Sequence, residues 1–197
     1  MGEYRKIPIT ELETPRLRLR PLSEADAPHI QAQFAHWNVL KYMATAVPWP
    51  YPEDGAITWI RSTLPKIAEC MDYFWAILRK ETPEAGLIGV ISLGPGSDDN
   101  NRGFWLAEPY WARGYMTEAS AAVNDFAFDV LGMKQLILNS ALENKASQRI
   151  KETSGAEIIE VSDQPYNAGT LPSARWRLTA EAWAANRGRV QRSDNES

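Results

Sequence analysis

The chain has 197 residues but one cysteine, Cys70, and two histidines, His29 and His36. A lone cysteine excludes an internal disulfide and any metal cluster built on cysteine, and Cys70 reads as a small buried residue rather than a nucleophile. Two histidines are too few for the usual zinc or serine–histidine–aspartate plans without carboxylate help, so no metal is expected. No apolar run approaches the ~18 residues that a membrane-spanning helix requires, and the first residues carry no apolar signal-type core. A soluble, cytoplasmic protein with no membrane partner is expected. A surplus of positive charge is missing too: 21 Lys and Arg against 25 Asp and Glu leave a net charge of −4, which argues against nucleic acid as a partner. Also absent are internal repeats, a linker that would divide the chain, a G-x-G-x-x-G fingerprint and a Gly-Lys-Ser/Thr phosphate loop.

What is present is a globular composition, 44% hydrophobic and 23% charged, enough for one domain with a real core. Residues 1–13 are polar and aperiodic and read as a loose lead-in. Arg16-Leu17-Arg18-Leu19-Arg20 alternates strictly, a strand ended by Pro21 with its arginines as the solvated face. Ser23 caps a first helix that carries Ile30, Phe34 and Trp37 inward and ends near Asn38. Three prolines and two aromatics make residues 47–52 a stiff extended loop. A second helix opens at Glu53-Asp54, carries Ile57, Ile60, Leu64, Ile67 and Met71 inward, and meets a kink or break at Pro65.

Residues 73–78, 87–93 and 104–107 are three strands with short connections, an antiparallel meander. Glu108 and Pro109 stop the last of them. The chain then bends closely through Ala112-Arg113-Gly114 into a helix with Met116, Ala119, Val123, Phe126 and Val130 on one face. Residues 136–142 form a further strand, and Asn144 caps a helix with Ala146, Ile150 and Thr153 inward, closed by Gly155. A strand over 156–161, a loop over 162–170 and a strand over 174–179 follow. Residues 182–197 read as a polar, disordered tail. A mixed α/β (α+β) single domain results. The strand, small-residue turn and helix start around Gly114 present several unpaired backbone N–H groups at one point, which suits a phosphate or pyrophosphate.

Three stretches carry a resemblance to a known family: Thr14-Pro15-Arg16-Leu17-Arg18-Leu19-Arg20-Pro21-Leu22, then residues 110–119, then Asn144-Lys145-Ala146-Ser147 with Gly155 closing the helix. In this order, with these elements between, the chain resembles the GNAT superfamily of acetyl-CoA-dependent N-acetyltransferases, and within it the RimJ/RimL-type branch of ribosomal-protein N-terminal acetyltransferases. The resemblance implies a domain over 14–181 with a mostly antiparallel central sheet of about seven strands flanked by about four helices. It implies acetyl-CoA as co-substrate and direct attack by an amine, from a protein N-terminus or a small molecule, with no covalent enzyme intermediate. A non-catalytic acyl-CoA-binding or sensing domain is the alternative. The assembly is expected to be a monomer or a homodimer.

The resemblance also assigns roles. Trp105, Leu106 and Ala107 would lie along the pantetheine arm, with the Leu106 N–H on the thioester carbonyl. Ala112, Arg113, Gly114, Met116 and Thr117 would surround the pyrophosphate. Ala112 stands where glycine is common and is accommodated there with a negative φ; Met116 stands where Gly or Ala is usual and would put a bulky side chain near the pyrophosphate. Asn144 would face the cofactor as well as cap its helix. Ser147 would be the general acid for the departing thiolate, or simply a helix-start residue. His36, Trp37 and Trp49 would wall the acceptor cleft. No general base is assigned; Glu108 and Asp99 are the carboxylates that flank the third strand of the meander.

Overall fold

The computed structural model describes residues 4–193. Strands β1 (Leu12–Glu13), β2 (Leu17–Pro21), β3 (Tyr73–Arg79), β4 (Leu87–Leu93) and β5 (Arg102–Leu106) form one antiparallel sheet in that order. In β2 the alternation puts Leu17 and Leu19 at full burial, each side chain contributing roughly 1.5–3 kcal/mol. Strands β3 and β4 are buried on both faces, which explains their continuous apolar runs. Helices α1 (Ala27–Phe34), α2 (Trp37–Leu40) and α3 (Gly55–Ala68) sit between β2 and β3 in sequence. Ile30, Phe34, Leu40, Ala56 and Ile60 from these helices cover one face of the sheet with Ala76, Leu78, Val90 and Trp105.

The opposite face is covered by helix α4 (Tyr115–Asp125), through Met116, Ala119 and Val123. A three-stranded antiparallel sheet follows, ordered β6 (Gln135–Ala141), β8 (Gly169–Thr179), β7 (Glu157–Tyr166), with helix α5 (Lys145–Ser154) between β6 and β7 and helix α6 (Ala180–Ser193) after β8. The mixed α/β architecture thus stands, with eight strands divided between two sheets. Among the described residues no helix is long and apolar enough to cross a membrane.

Several local expectations are corrected. The lead-in is docked: Ile7 and Thr10 carbonyls accept from Tyr73 Oη at 2.9 Å and Trp75 Nε1 at 2.8 Å, and Arg5 N–H bonds Leu131 O at 2.8 Å. The segment from Ala182, read as a disordered tail, belongs to α6; Trp183 is 1% exposed and its indole N–H donates to Asp125 at 2.8 Å, and residues 194–197 lie outside the described residues. Trp37, Met71 and Val130 face solvent, not the core. Val130 turns out because α4 runs into a π turn, Phe126–Val130, where Leu131 N–H bonds Phe126 O at 2.9 Å. That extra residue per turn shifts the buried face onto Ala127, Phe128 and Leu131. The expected loop over 162–170 is a hairpin, since β7 pairs with β8 to Tyr166↔Gly169. Pro65 falls inside α3, which runs through it.

Candidate active site

Strand β5 ends where the two sheets part. At its head Asn101 N–H donates to Ile137 O at 2.7 Å, and Ile137 N–H donates to Asn101 Oδ1 at 2.6 Å, so β5 and β6 are tied there. Beyond that point they belong to separate sheets. Ala107 N–H bonds Ile88 O on β4 at 2.9 Å, and successive main-chain groups of a strand alternate in direction. The polar groups of Leu106 therefore face away from β4, and its carbonyl accepts from Trp111 Nε1 at 2.6 Å. Gly89 lets the two strands close here: a Cβ on it would lie 2.4 Å from Trp105 O and 3.1 Å from Leu106 Cα.

A single turn over Glu108–Tyr110 then leads to the bend, which is exposed from Trp111 to Gly114. Gly114, at φ 77°, caps α4. The first hydrogen bond recorded at that end runs from Glu118 N–H to Gly114 O at 3.0 Å, so the N–H groups of Tyr115, Met116 and Thr117 precede the helical ladder and form an anion-attracting mouth. Two expectations change. Ala112 has φ 57°, in the left-handed region, so it is strained by about 1–2 kcal/mol instead of accommodated at negative φ. Met116 is 6% exposed and packs into the core, so its bulk points away from the mouth.

The bend is braced from β2. Glu118, 3% exposed, accepts from Arg16 N–H at 2.8 Å, from Arg16 Nε at 2.7 Å and from Thr14 Oγ1, while Arg16 Nη1 donates to Arg113 O at 3.0 Å. Arg16 also lies over the Tyr115 ring, 4.9 Å from its centre. Arg20 likewise pairs with buried Asp26, at 2.5 Å. The strand's arginines are thus not simply its solvated face.

Asn144 caps α5, its Oδ1 accepting from Ser147 N–H at 3.1 Å. The buried face of α5 is Ser147, Gln148, Ile150, Lys151 and Ser154, and Ala146 is exposed. Lys151 was not singled out in sequence, where a lysine on a polar helix reads as solvated. It is 2% exposed, and its Nζ donates to Ser147 Oγ at 2.7 Å and sits 5.8 Å from the centre of the Phe104 ring on β5. Burial, and secondarily the Arg102 charge, pushes its amine well below the usual lysine range. The available signal was spacing: Ser147 and Lys151 are four apart, on one helix face.

At the other side of the splay, Trp37 and Trp49 meet at 5.3 Å between ring centres, both more than 40% exposed. His36 does not face them as a free side chain: its Nε2 contacts Ala32 O at 3.0 Å, and its carbonyl accepts from Val39 and Leu40 N–H. Asn38 Nδ2 donates to Glu108 Oε2 at 3.0 Å, joining this aromatic corner to the exit of β5. Asp99 lies at the opposite, entry end of β5, 4.0 Å from Arg175. Asn167, in the β7–β8 turn, closes the far side; its Nδ2 donates to Leu40 O at 3.1 Å and Val47 O at 2.9 Å.

A family model described as an acetyltransferase (GNAT) domain matches residues 16–157. The uncharacterized N-acetyltransferase YoaA of Bacillus subtilis (strain 168) is 28% identical over 142 residues, covering 71% of this chain and 78% of that relative. Among solved structures, Mycobacterium smegmatis RimJ in complex with CoA-disulfide superposes with a TM-score of 0.79 at 15% identity, over 98% of this chain and 97% of that one. The ribosomal-protein-S5-alanine acetyltransferase of Vibrio fischeri superposes with a TM-score of 0.74 at 14% identity, over 89% and 99%. These two likenesses concern the fold.

Proposed function

The chain belongs to the GNAT acetyltransferase family, and from that premise we propose that it transfers acetyl from acetyl-CoA to a primary amine by direct attack. The observation that carries the reading is the coincidence of two features at one place. The splay leaves the Leu106 N–H turned away from β4, beside an open helix N-terminus at Tyr115–Thr117. The first suits an extended amide-bearing arm, the second a pyrophosphate.

In this reading the pyrophosphate rests on the N–H groups from Arg113 to Thr117, with Arg113 supplying positive charge. The pantetheine arm runs along Trp105, Leu106 and Ala107, with the Leu106 N–H polarising the thioester carbonyl as negative charge develops on its oxygen. Ser147 is the acid for the departing sulfur, and Asn144 orders the turn that presents it. The acceptor enters past Trp37 and Trp49, between the hairpin turn at Asn167 and Glu108. Glu108 is the carboxylate at this end of β5, and it is where an incoming ammonium would meet negative charge. The similar structure named as a ribosomal-protein-S5-alanine acetyltransferase supports a protein N-terminus as acceptor and a cytoplasmic setting. As proposed, the domain spans 14–181 and acts as a monomer or homodimer.

The test is release of free thiol from acetyl-CoA with a panel of peptides and small amines. Turnover with at least one acceptor, above an enzyme-free control, is expected. No turnover with any acceptor, in a protein that still binds acetyl-CoA by calorimetry, would favour a sensing domain instead.

A further inference from the structure

Between α4, β5 and α5 lie two buried basic side chains, Arg102 at 4% exposure and Lys151 at 2%. Arg102 Nη1 donates to Asn124 Oδ1 at 2.5 Å, while its Nε and Nη2 have no hydrogen-bond partner among the described residues. Lys151 donates to Ser147 Oγ at 2.7 Å and to Ser147 O at 3.3 Å, and it faces the Phe104 ring. The charged group acting on Lys151 is Arg102, from β5; on the α6 side, Arg187 is paired with Asp125 and Asp129. Among the described residues no carboxylate forms an ion pair with either buried cation. Taking charge out of water without a counter-charge is costly, and such a pair gains much from an anion that arrives beside it.

Resting on the acetyl-CoA reading, we propose that Lys151 is a positioning residue for the leaving-group step. It fixes the Ser147 hydroxyl with its hydrogen toward the thioester sulfur and sets a positive charge behind it. A hydroxyl oxygen that accepts from an N–H keeps its own hydrogen free to donate. As the amine nitrogen bonds the carbonyl carbon and the C–S bond breaks, the electron pair goes to sulfur, which takes the Ser147 proton. In the same motion the serine oxygen, held in place by the Lys151 N–H, takes the proton that the attacking amine gives up, so no free alkoxide forms. Lys151 keeps its protons and supplies the field. Burial and Arg102 together hold the Lys151 amine well below the lysine range, so the arriving negative charge also favours its charged form.

The probe is coenzyme A itself, whose bound thiol can be titrated by the ultraviolet absorbance of its thiolate. In the wild-type protein the bound thiol should titrate about one unit or more below the ordinary thiol value near ~8.5, a tenfold or greater gain for the thiolate. Lys151→Met and Ser147→Ala should each lose that gain, while Lys151→Arg, which keeps a charge, should retain part of it. Ser147→Ala removes a single oxygen and guards against a misfolded Lys151 variant. Equal thiol titration in wild type, Lys151→Met and Ser147→Ala, with coenzyme A bound to all three, would overturn the proposal and leave the acetyl-CoA reading standing. Failure of the wild-type protein to bind coenzyme A would remove the acetyl-CoA reading, and the proposal with it.

Discussion

Replacing Glu118 by Ala tests how the cofactor bend is held. The carboxylate collects three donors, Thr14 Oγ1, Arg16 N–H and Arg16 Nε, and through Arg16 it fixes a guanidinium that also holds the Arg113 carbonyl. Hydrogen bonds to a charged group contribute about 1.5–3 kcal/mol each, and stripping one partner from a buried ion pair costs about 3–5 kcal/mol. The Arg16 side chain is 32% exposed, however, so water recovers part of its loss, and a cost of about 2–4 kcal/mol is expected. Glu118→Gln keeps the shape and one acceptor, so it should cost less, about 1–2 kcal/mol. Urea unfolding reads the stability, and calorimetry with coenzyme A reads the bend. Both variants should lose coenzyme A affinity at temperatures where they remain folded, because Arg113 is no longer anchored. A Glu118→Ala protein that loses less than about 1 kcal/mol, or that binds coenzyme A as the wild type does, would refute the bracing argument.

Three further outcomes are expected. Ala112→Gly should relieve the left-handed strain at φ 57° and raise stability by about 0.5–1 kcal/mol net of the added chain entropy, seen as a higher melting temperature. Gly89→Ala should push β5 away at Trp105–Leu106, costing about 1–3 kcal/mol in urea unfolding and weakening coenzyme A binding more than Ala substitution at exposed Gly96. Burial pushes the Asp26 carboxyl up, but Arg20 and Ser23 outweigh it and hold it below the usual value. Its stabilising share is therefore complete above about pH 4 and lost as pH falls further, and Asp26→Asn should flatten that acid limb of the unfolding curve.

Much of this was legible in the sequence because it depends on local chemistry. The alternation of Leu17 and Leu19, the meander before Glu108-Pro109, the Asn144 cap and the bend at Gly114 follow from period, proline, a capping asparagine and glycine. What escaped depends on partners distant in sequence. Glu118 and Arg16 are 102 residues apart, and nothing in either stretch says that the carboxylate will be buried against β2. Lys151 reads as a solvated lysine until α5 is seen to bury it over the Phe104 ring, where it feels the Arg102 charge. The docking of residues 7–10 on Tyr73 and Trp75, and of Trp183 on Asp125, likewise arises from tertiary contacts that override polar composition. The slip at Phe126–Val130 shows the limit of periodicity itself, since one π turn moves every later side chain to a new face.

The most direct test of the account is calorimetric titration of acetyl-CoA into the wild-type protein and into Gly114→Val. A β-branched residue at φ 77° should distort the helix mouth while leaving the core of α4, at Ala119 and Val123, in place. The account predicts saturable binding of one acetyl-CoA per chain by the wild type, and a loss of tenfold or more, about 1.4 kcal/mol, in a folded Gly114→Val protein. Wild-type affinity in folded Gly114→Val, or no binding by the wild type, would contradict it.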